Sequence, residues 1–438
     1  MDAPLWTPNW ARGRGWDRYG RPMRLAQTLA PLRHRPFRRQ FLAQAISTTG
    51  GSLAPVATAF GVLAATGSAR TLGLVLLAYS IPMLVLMIVG GVWADRLPRH
   101  RLMMSADLVR FVTQCAFAGL LLSHHHPLWA MLTLQVIAGA ATAFEAPATL
   151  GLTAATAPPG TLQQANALLA VTRDITGIAG PLIAGVLTVT VGAGWALMID
   201  GISFLGSALL LAGLKLPPAT RKETSFLTEV RDGWREVTKR SWLWASLLYF
   251  ATFGVTFAVI VVLGPARLAG TANGALSWGA ITAGLSVGTL FGNALALRLS
   301  PRYLLRWPRI AELLGVPMIV ALALGAPVPV LIVTAVLLGS SMTFPDALWY
   351  TALQQEIPAE ALSRVSAFDF LGSFALRPLG YILAAALIAI GAQTALLAMA
   401  VLVVAATFLS LLAPGVRNLK RRPPEQDVDK SIVDAVPA

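Results

Sequence analysis

Apolar runs of about bilayer length recur along the whole chain with only short turns between most of them, and that spacing leaves few folds open. About 20 apolar residues at roughly 1.5 Å each span a hydrocarbon core of about 30 Å. In lipid every backbone polar group must be satisfied within the protein, so such runs pack as helices. They lie at 41–66, 72–94, 102–122, 129–152, 165–191 and 195–214, then at 242–263, 276–299, 310–324, 330–353, 365–390 and 394–412. The pattern predicts an all-α polytopic membrane protein with twelve transmembrane helices in two six-helix bundles. Its parts are an arm over 1–40, bundles over 41–214 and 242–412, a connector over 215–241 and a tail over 413–438.

Charge supports this reading and orients it. Only 12% of the residues are charged, against roughly 25% in soluble domains. A net charge of +14 would ordinarily point to nucleic acid, but 29 of the 34 Lys and Arg fall in alternate loops and ends. The intervening loops hold only Arg70 and Arg267. That asymmetry places both termini in the cytoplasm, predicts an even number of crossings and leaves nucleic acid without a role. The arm, with Trp6, Trp10 and Trp16 among its arginines, suits anionic lipid. It lacks the apolar core of a signal peptide, and Met23 is an alternative start. In the connector, Phe226, Val230, Trp234 and Val237 recur at helical spacing, predicting an interfacial helix. Cys115 is the single cysteine, so no intrachain disulfide forms. His124, His125 and His126 lack cysteines or carboxylates nearby to complete a metal site, and no Gly-rich ATP loop occurs. No cofactor, metal or enzymatic grouping is expected.

Residues 138–187 align without gaps on 338–387. Gly139, Phe144, Pro158, Leu162, Gly180 and Ala184 meet Gly339, Phe344, Pro358, Leu362, Gly380 and Ala384. Two halves related in this way are what a transporter with a midplane site requires. The turn after the second run carries Gly91, Asp95, Arg96, Arg99 and Arg101, followed by Ala106, Asp107, Leu108, Val109 and Arg110. This turn resembles the signature loop of the major facilitator superfamily, and the residues after it resemble the drug-exporter branch. Pro98 and His100 depart from the usual pattern. The second-half counterpart at 292–302 keeps a glycine and arginines but no aspartate. Further similarity runs through Phe144-Glu145-Ala146-Pro147, Gln163-Gln164-Ala165-Asn166 and Asp200-Gly201, toward the branch of the enterobactin exporter and macrolide efflux proteins. Gly177, Gly180, Pro181 and Gly185 are similar to the antiporter motif of the fifth span, where small residues allow close packing.

Ionisable residues inside spans are expensive and ask for a reason. Asp107 and Arg110, three apart, are expected to pair with each other or with the Asp95 turn as a gate lock. Glu145 is the leading candidate for proton coupling and Asp346 the second, with Asp369, Arg173, Asp174 and Arg377 behind them, because burial lets a carboxyl be held neutral. An ion pair of Glu145 with Arg173 or Arg377 is the plainer alternative. Asp200 is expected as a helix cap and Glu312 as a boundary residue. Three departures weaken a proton reading taken from the residues: Ser47 to Gly51 holds no first-span aspartate, Gln135 stands where many drug:proton antiporters carry arginine, and the turn at 292–302 lacks its acid. Proton exchange is therefore an implication of the resemblance.

Gln44, Gln135, Tyr249, Phe253, Phe257, Phe344, Trp349 and Tyr350 are the expected cavity wall. Aromatic faces with few polar groups suit a large amphipathic solute better than a sugar. The resemblance implies a monomeric cell-membrane transporter exporting an antibiotic-like or siderophore-like compound in exchange for protons. An importer or lipid flippase of the same fold, or a transport-dead scaffold or sensor, are the alternatives.

Overall fold

The computed structural model describes residues 29–96, 98–123, 125–214, 237–357 and 375–421, with Arg235, Val365, Asp369 and Gly372 besides; the side chains of 88–96, 146, 147 and 150 fall outside that description. Among the described residues nine helices are long and apolar enough to cross a membrane. The first crossing joins α1 (Arg35–Gly51) and α2 (Ala54–Thr66) end to end. Then come α3 (Ala69–Arg96), α4 (Arg99–Leu122), α5 (Leu128–Thr142), α6 (Glu145–Thr156), α7 (Leu162–Thr190) and α8 (Ala193–Ala212). The second half holds α9 (Ser241–Leu268), α10 (Gly274–Arg298), α11 (Arg306–Ala311), α12 (Val316–Ala323), α13 (Val328–Glu356), α14 (Arg377–Leu387), α15 (Ala392–Leu412) and the short α16 (Pro414–Asn418).

Besides the first, three expected spans depart from a single helix. The fourth breaks between α5 and α6, and the ninth is α11, a 3-10 turn at Glu312–Gly315 and α12. The eleventh is helical over α14 among its described residues. Proline marks these starts: Pro55, Pro147, Pro317 and Pro378 stand in the first turns of α2, α6, α12 and α14, where a missing N–H forfeits no helical bond. Pro82, Pro181, Pro265 and Pro345 instead lie inside helices that run through them. Most of the predicted connector helix lies outside the described residues; Val237, at its end, is buried against Trp242 and Leu304.

Small residues set the helix crossings, since helices in lipid associate by packing rather than by escape from water. A Cβ on Gly139 would strike the Tyr79 carbonyl of α3, and one on Gly339 would strike the Leu285 carbonyl of α10. Likewise a Cβ on Gly180 would strike Ser52, between α1 and α2, and one on Gly380 would meet the Val255 carbonyl of α9 at 2.5 Å. The aligned glycines of the repeat thus make matching contacts in the two halves. Leucine at Gly139 or Gly339 should each cost about 1–3 kcal/mol or more, because a helix carbonyl cannot rotate away. Gly119, where an added Cβ would meet nothing within 4 Å, is the control. Gly119→Leu should melt in detergent like the parent protein; equal melting of all three variants would dismiss this packing account.

The halves meet where α7 lies on α10 and α14 on α3. A Cβ on Gly185 would come within 2.8 Å of the Ala275 carbonyl oxygen and the Leu276 Cα, while Ser286 Oγ donates to the Gly177 carbonyl at 2.7 Å. At the face of the short turns near 67, 192, 270 and 325, one core joins Val56, Phe60 and Leu197 to Val259, Trp278, Met318 and Leu396. At the opposite face, among the described residues, the cores are separate. Leu102, Met103, Leu152 and Leu211 form one in the first half, and Leu243, Leu348, Trp349 and Leu353 form another in the second.

Candidate functional site

Two cavities stand out, the first between the halves and the second within the second half. The first, of about 380 Å³, is walled by Pro55, Tyr79, Arg110, Gln135, Asp200 and Phe204 of the first half, with Phe257, Arg377 and Tyr381 of the second. Its polar centre is Arg110. The Arg110 guanidinium lies 2.6 Å from Glu145 Oε2, 3.7 Å from Asp107 Oδ1 and 3.8 Å from the centre of the Phe204 ring.

Helical spacing assembles this cluster. Asp107, Arg110 and Gln114 follow one another at three and four residues on α4, and Asp200, Phe204 and Ser207 do so on the facing stripe of α8. Ser207 Oγ donates to Asp107 Oδ2 at 2.6 Å, and Gln114 Nε2 donates to Asp200 Oδ2 at 2.7 Å. The other oxygen, Asp200 Oδ1, is buried without a hydrogen-bond partner. Glu145 opens α6 just after the break at Ala143 and Phe144, where the helix N-terminus favours a carboxylate. One guanidinium therefore faces three carboxylates.

The second cavity, of about 320 Å³, is lined by the second half: Tyr249, Phe250, Phe253, Trp349 and Tyr350 wall it with Asp346, Asp369 and Glu312. Glu312 is neutralised by Arg309 at 2.7 Å, and that guanidinium also sits 3.9 Å from the Tyr249 ring centre. Arg377 lines both cavities and lies over Phe257 at 5.4 Å.

Several expectations are thereby corrected. Glu145 pairs with Arg110, because the break before α6 turns it toward α4. Arg173 and Asp174 are exposed on α7 and line neither cavity. Arg110, grouped with the gate by its position in the sequence, lines the first cavity. Asp200 is no cap; it is 2% exposed within α8. Glu312 is no boundary residue, since it and its partner Arg309 are both buried. Phe344 packs into the second-half core away from the cavities, and Gln44 also lies off both walls. Gln135 and Phe257 lie on the wall of the first cavity, and Tyr249, Phe253, Trp349 and Tyr350 on that of the second. The signal for Arg309 and Glu312 was present in the chain: opposite charges three apart beside an apolar run can satisfy each other inside it.

Of the gate turn, α3 reaches Arg96 and α4 starts at Arg99. Leu97 and the side chains of Gly91, Asp95 and Arg96 lie outside the described residues. The Arg99 guanidinium occupies the space beside Gly151 of α6, and Arg101 is exposed.

The family model of the Major Facilitator Superfamily matches residues 40–376. The chain belongs to that superfamily. It is a multi-pass membrane transporter and not an enzyme. The multidrug efflux pump Tap of Mycolicibacterium fortuitum is 27% identical over 385 residues, covering 84% of this chain and 93% of its own. The enterobactin exporter EntS of Shigella flexneri is 26% identical over 413 residues, covering 90% and 95%. Among solved structures, the nucleoside transporter NupG superposes with a TM-score of 0.70 at 14% identity, covering 88% of this chain and 100% of the other. An inward-facing, unoccupied bacterial homolog of the human lysosomal transporter Spinster gives 0.66 at 16% identity, over 90% and 99%. At such identities the superpositions speak for the superfamily's fold alone.

Proposed function

We propose that this transporter exports an amphipathic small molecule from the cytoplasm by alternating access, in exchange for protons. The observation that carries the reading is the asymmetry of the two faces: one shared core behind the cavities, two separate cores in front of them. Apolar contacts that join the halves on one side only are those that alternate when the halves rock. The basic residues concentrated at the face of the chain ends favour a cytoplasmic position for the open side. The Asp95 turn acts as a latch on that face, the arm over 1–40 rests on anionic lipid, and the bundles over 41–214 and 242–412 move as the two rocking bodies. The efflux pump and exporter among the relatives support outward movement.

Protons enter through charge balance. Three ionised carboxylates around one guanidinium are costly in a low-dielectric setting, and a bound proton relieves that cost. Glu145 is the proton carrier in this reading, with Arg110 as its release partner and Asp107 and Asp200 beside it. Compound uptake into inside-out vesicles and into intact cells tests direction: export requires accumulation in the vesicles and depletion in the cells. A compound panel on a strain lacking and then regaining the protein identifies what is moved. Glu145→Gln should flatten the pH dependence of efflux, and an unchanged pH profile would remove Glu145 from the coupling step.

A further inference from the structure

We infer that the second cavity is a cage for an organic cation, and hence that the exported compound carries a positively charged nitrogen or equivalent centre. The inference rests on the export reading and narrows it to a substrate class.

Five aromatic side chains, Tyr249, Phe250, Phe253, Trp349 and Tyr350, wall the space. Phe250 stands edge-on to Trp349 at 5.0 Å and Tyr249 edge-on to Phe250 at 6.0 Å, so these three rings brace one another, with the Arg309 guanidinium over Tyr249 and Phe250. Aromatic faces carry negative potential and attract cations most where water is excluded. The acids in the same wall are not equivalent. Glu312 is consumed by Arg309, which lies 2.7 Å away and is itself 3% exposed. Asp346 and Asp369 share the cavity, and each lies within the other's field. Arg377 also lines this cavity, and its guanidinium lies over Phe257, a ring of the other one. Beyond the Arg309–Glu312 pair the wall therefore sets two carboxylates against one guanidinium.

A second observation points to a ligand. Tyr249 Oη and Trp349 Nε1 both belong to side chains that are 3% exposed, and both sit on this wall. Neither completes a hydrogen bond of ordinary geometry, although Thr407 and Glu312 stand beside the tyrosine and Asp369 beside the indole. Buried polar groups are ordinarily satisfied, and leaving them open is costly. A hydroxyl, an indole N–H and five rings, with two carboxylates against the single Arg377 guanidinium, in about 320 Å³ together match a drug-sized cation better than a neutral or anionic solute.

The test measures binding to the purified full chain with tetraphenylphosphonium and with its neutral analogue triphenylphosphine oxide. Saturable tetraphenylphosphonium binding is expected, with the neutral probe at least about tenfold weaker. Asp346→Asn and Asp369→Asn should each weaken the cation by about tenfold while hardly changing the neutral probe, and Asp346→Glu, which keeps the charge, should retain it. Melting temperatures of the variants confirm that they are folded. Equal affinity for the two probes, or undiminished cation binding in folded Asn variants, overturns the cage. Transport is scored separately in inside-out vesicles with cationic and neutral compounds. Uptake of neutral compounds alone overturns the cation assignment and leaves export standing, whereas no uptake of any compound overturns export, with the binding arm still deciding the cage.

Discussion

Arg110→Leu should abolish transport and lower folding stability by about 3–5 kcal/mol, the cost of stranding a buried charge whose partner has been removed. Asp107 and Glu145 both depend on that guanidinium, at 3.7 and 2.6 Å, and Asp107 has a side chain only 6% exposed. The loss arises from the carboxylates left behind more than from the contacts removed. Adding Asp107→Asn and Glu145→Gln to Arg110→Leu should therefore restore most of the melting temperature. Transport should stay absent, because the proton carrier and its release partner are gone. Thermal unfolding in detergent and transport in proteoliposomes read the two consequences separately. Wild-type stability of the single variant would show that Arg110 does not hold the cluster.

Gly185→Leu should separate the halves on the face where they share a core. Its Cβ alone would meet the Ala275 carbonyl oxygen and Leu276 Cα at 2.8 Å, both backbone atoms of α10 that no side-chain rotation can move. Overpacking of this kind costs about 1–3 kcal/mol, and here the helices relieve it by moving apart. Because Cys115 is the single cysteine, Cys115→Ser provides a clean background for reporters. Ile281→Cys, at a position 2% exposed in the shared core, should be unreactive to a water-soluble maleimide in that background. Adding Gly185→Leu should make it react. Continued protection of that cysteine, with normal transport, would mean that the contact between α7 and α10 does not seal this face.

The aligned repeat illustrates how much the chain discloses before it folds. Gly139 with Gly339, and Gly180 with Gly380, can be paired by a fixed offset, and each pair then performs the same crossing in space. Lipid makes this legible: helices must be apolar over a set length, and their crossings must be small. The polar cluster is less legible. Asp107 and Arg110 share a helix face and their proximity follows from spacing, whereas Arg110 and Glu145 are 35 residues apart and meet through the break before α6. Asp200 reads as a terminus residue in the sequence, yet α8 begins at Ala193 and turns that face toward α4.

Length, hydropathy and the placement of arginines were enough to determine a helical membrane protein built on an internal repeat, because the bilayer imposes those features on each segment separately. That Glu145 meets Arg110, that Gln114 meets Asp200 and which rings close around Asp346 were decided only by tertiary structure. Such contacts join segments distant in the chain, and their geometry depends on where helices break and how closely glycines let them cross.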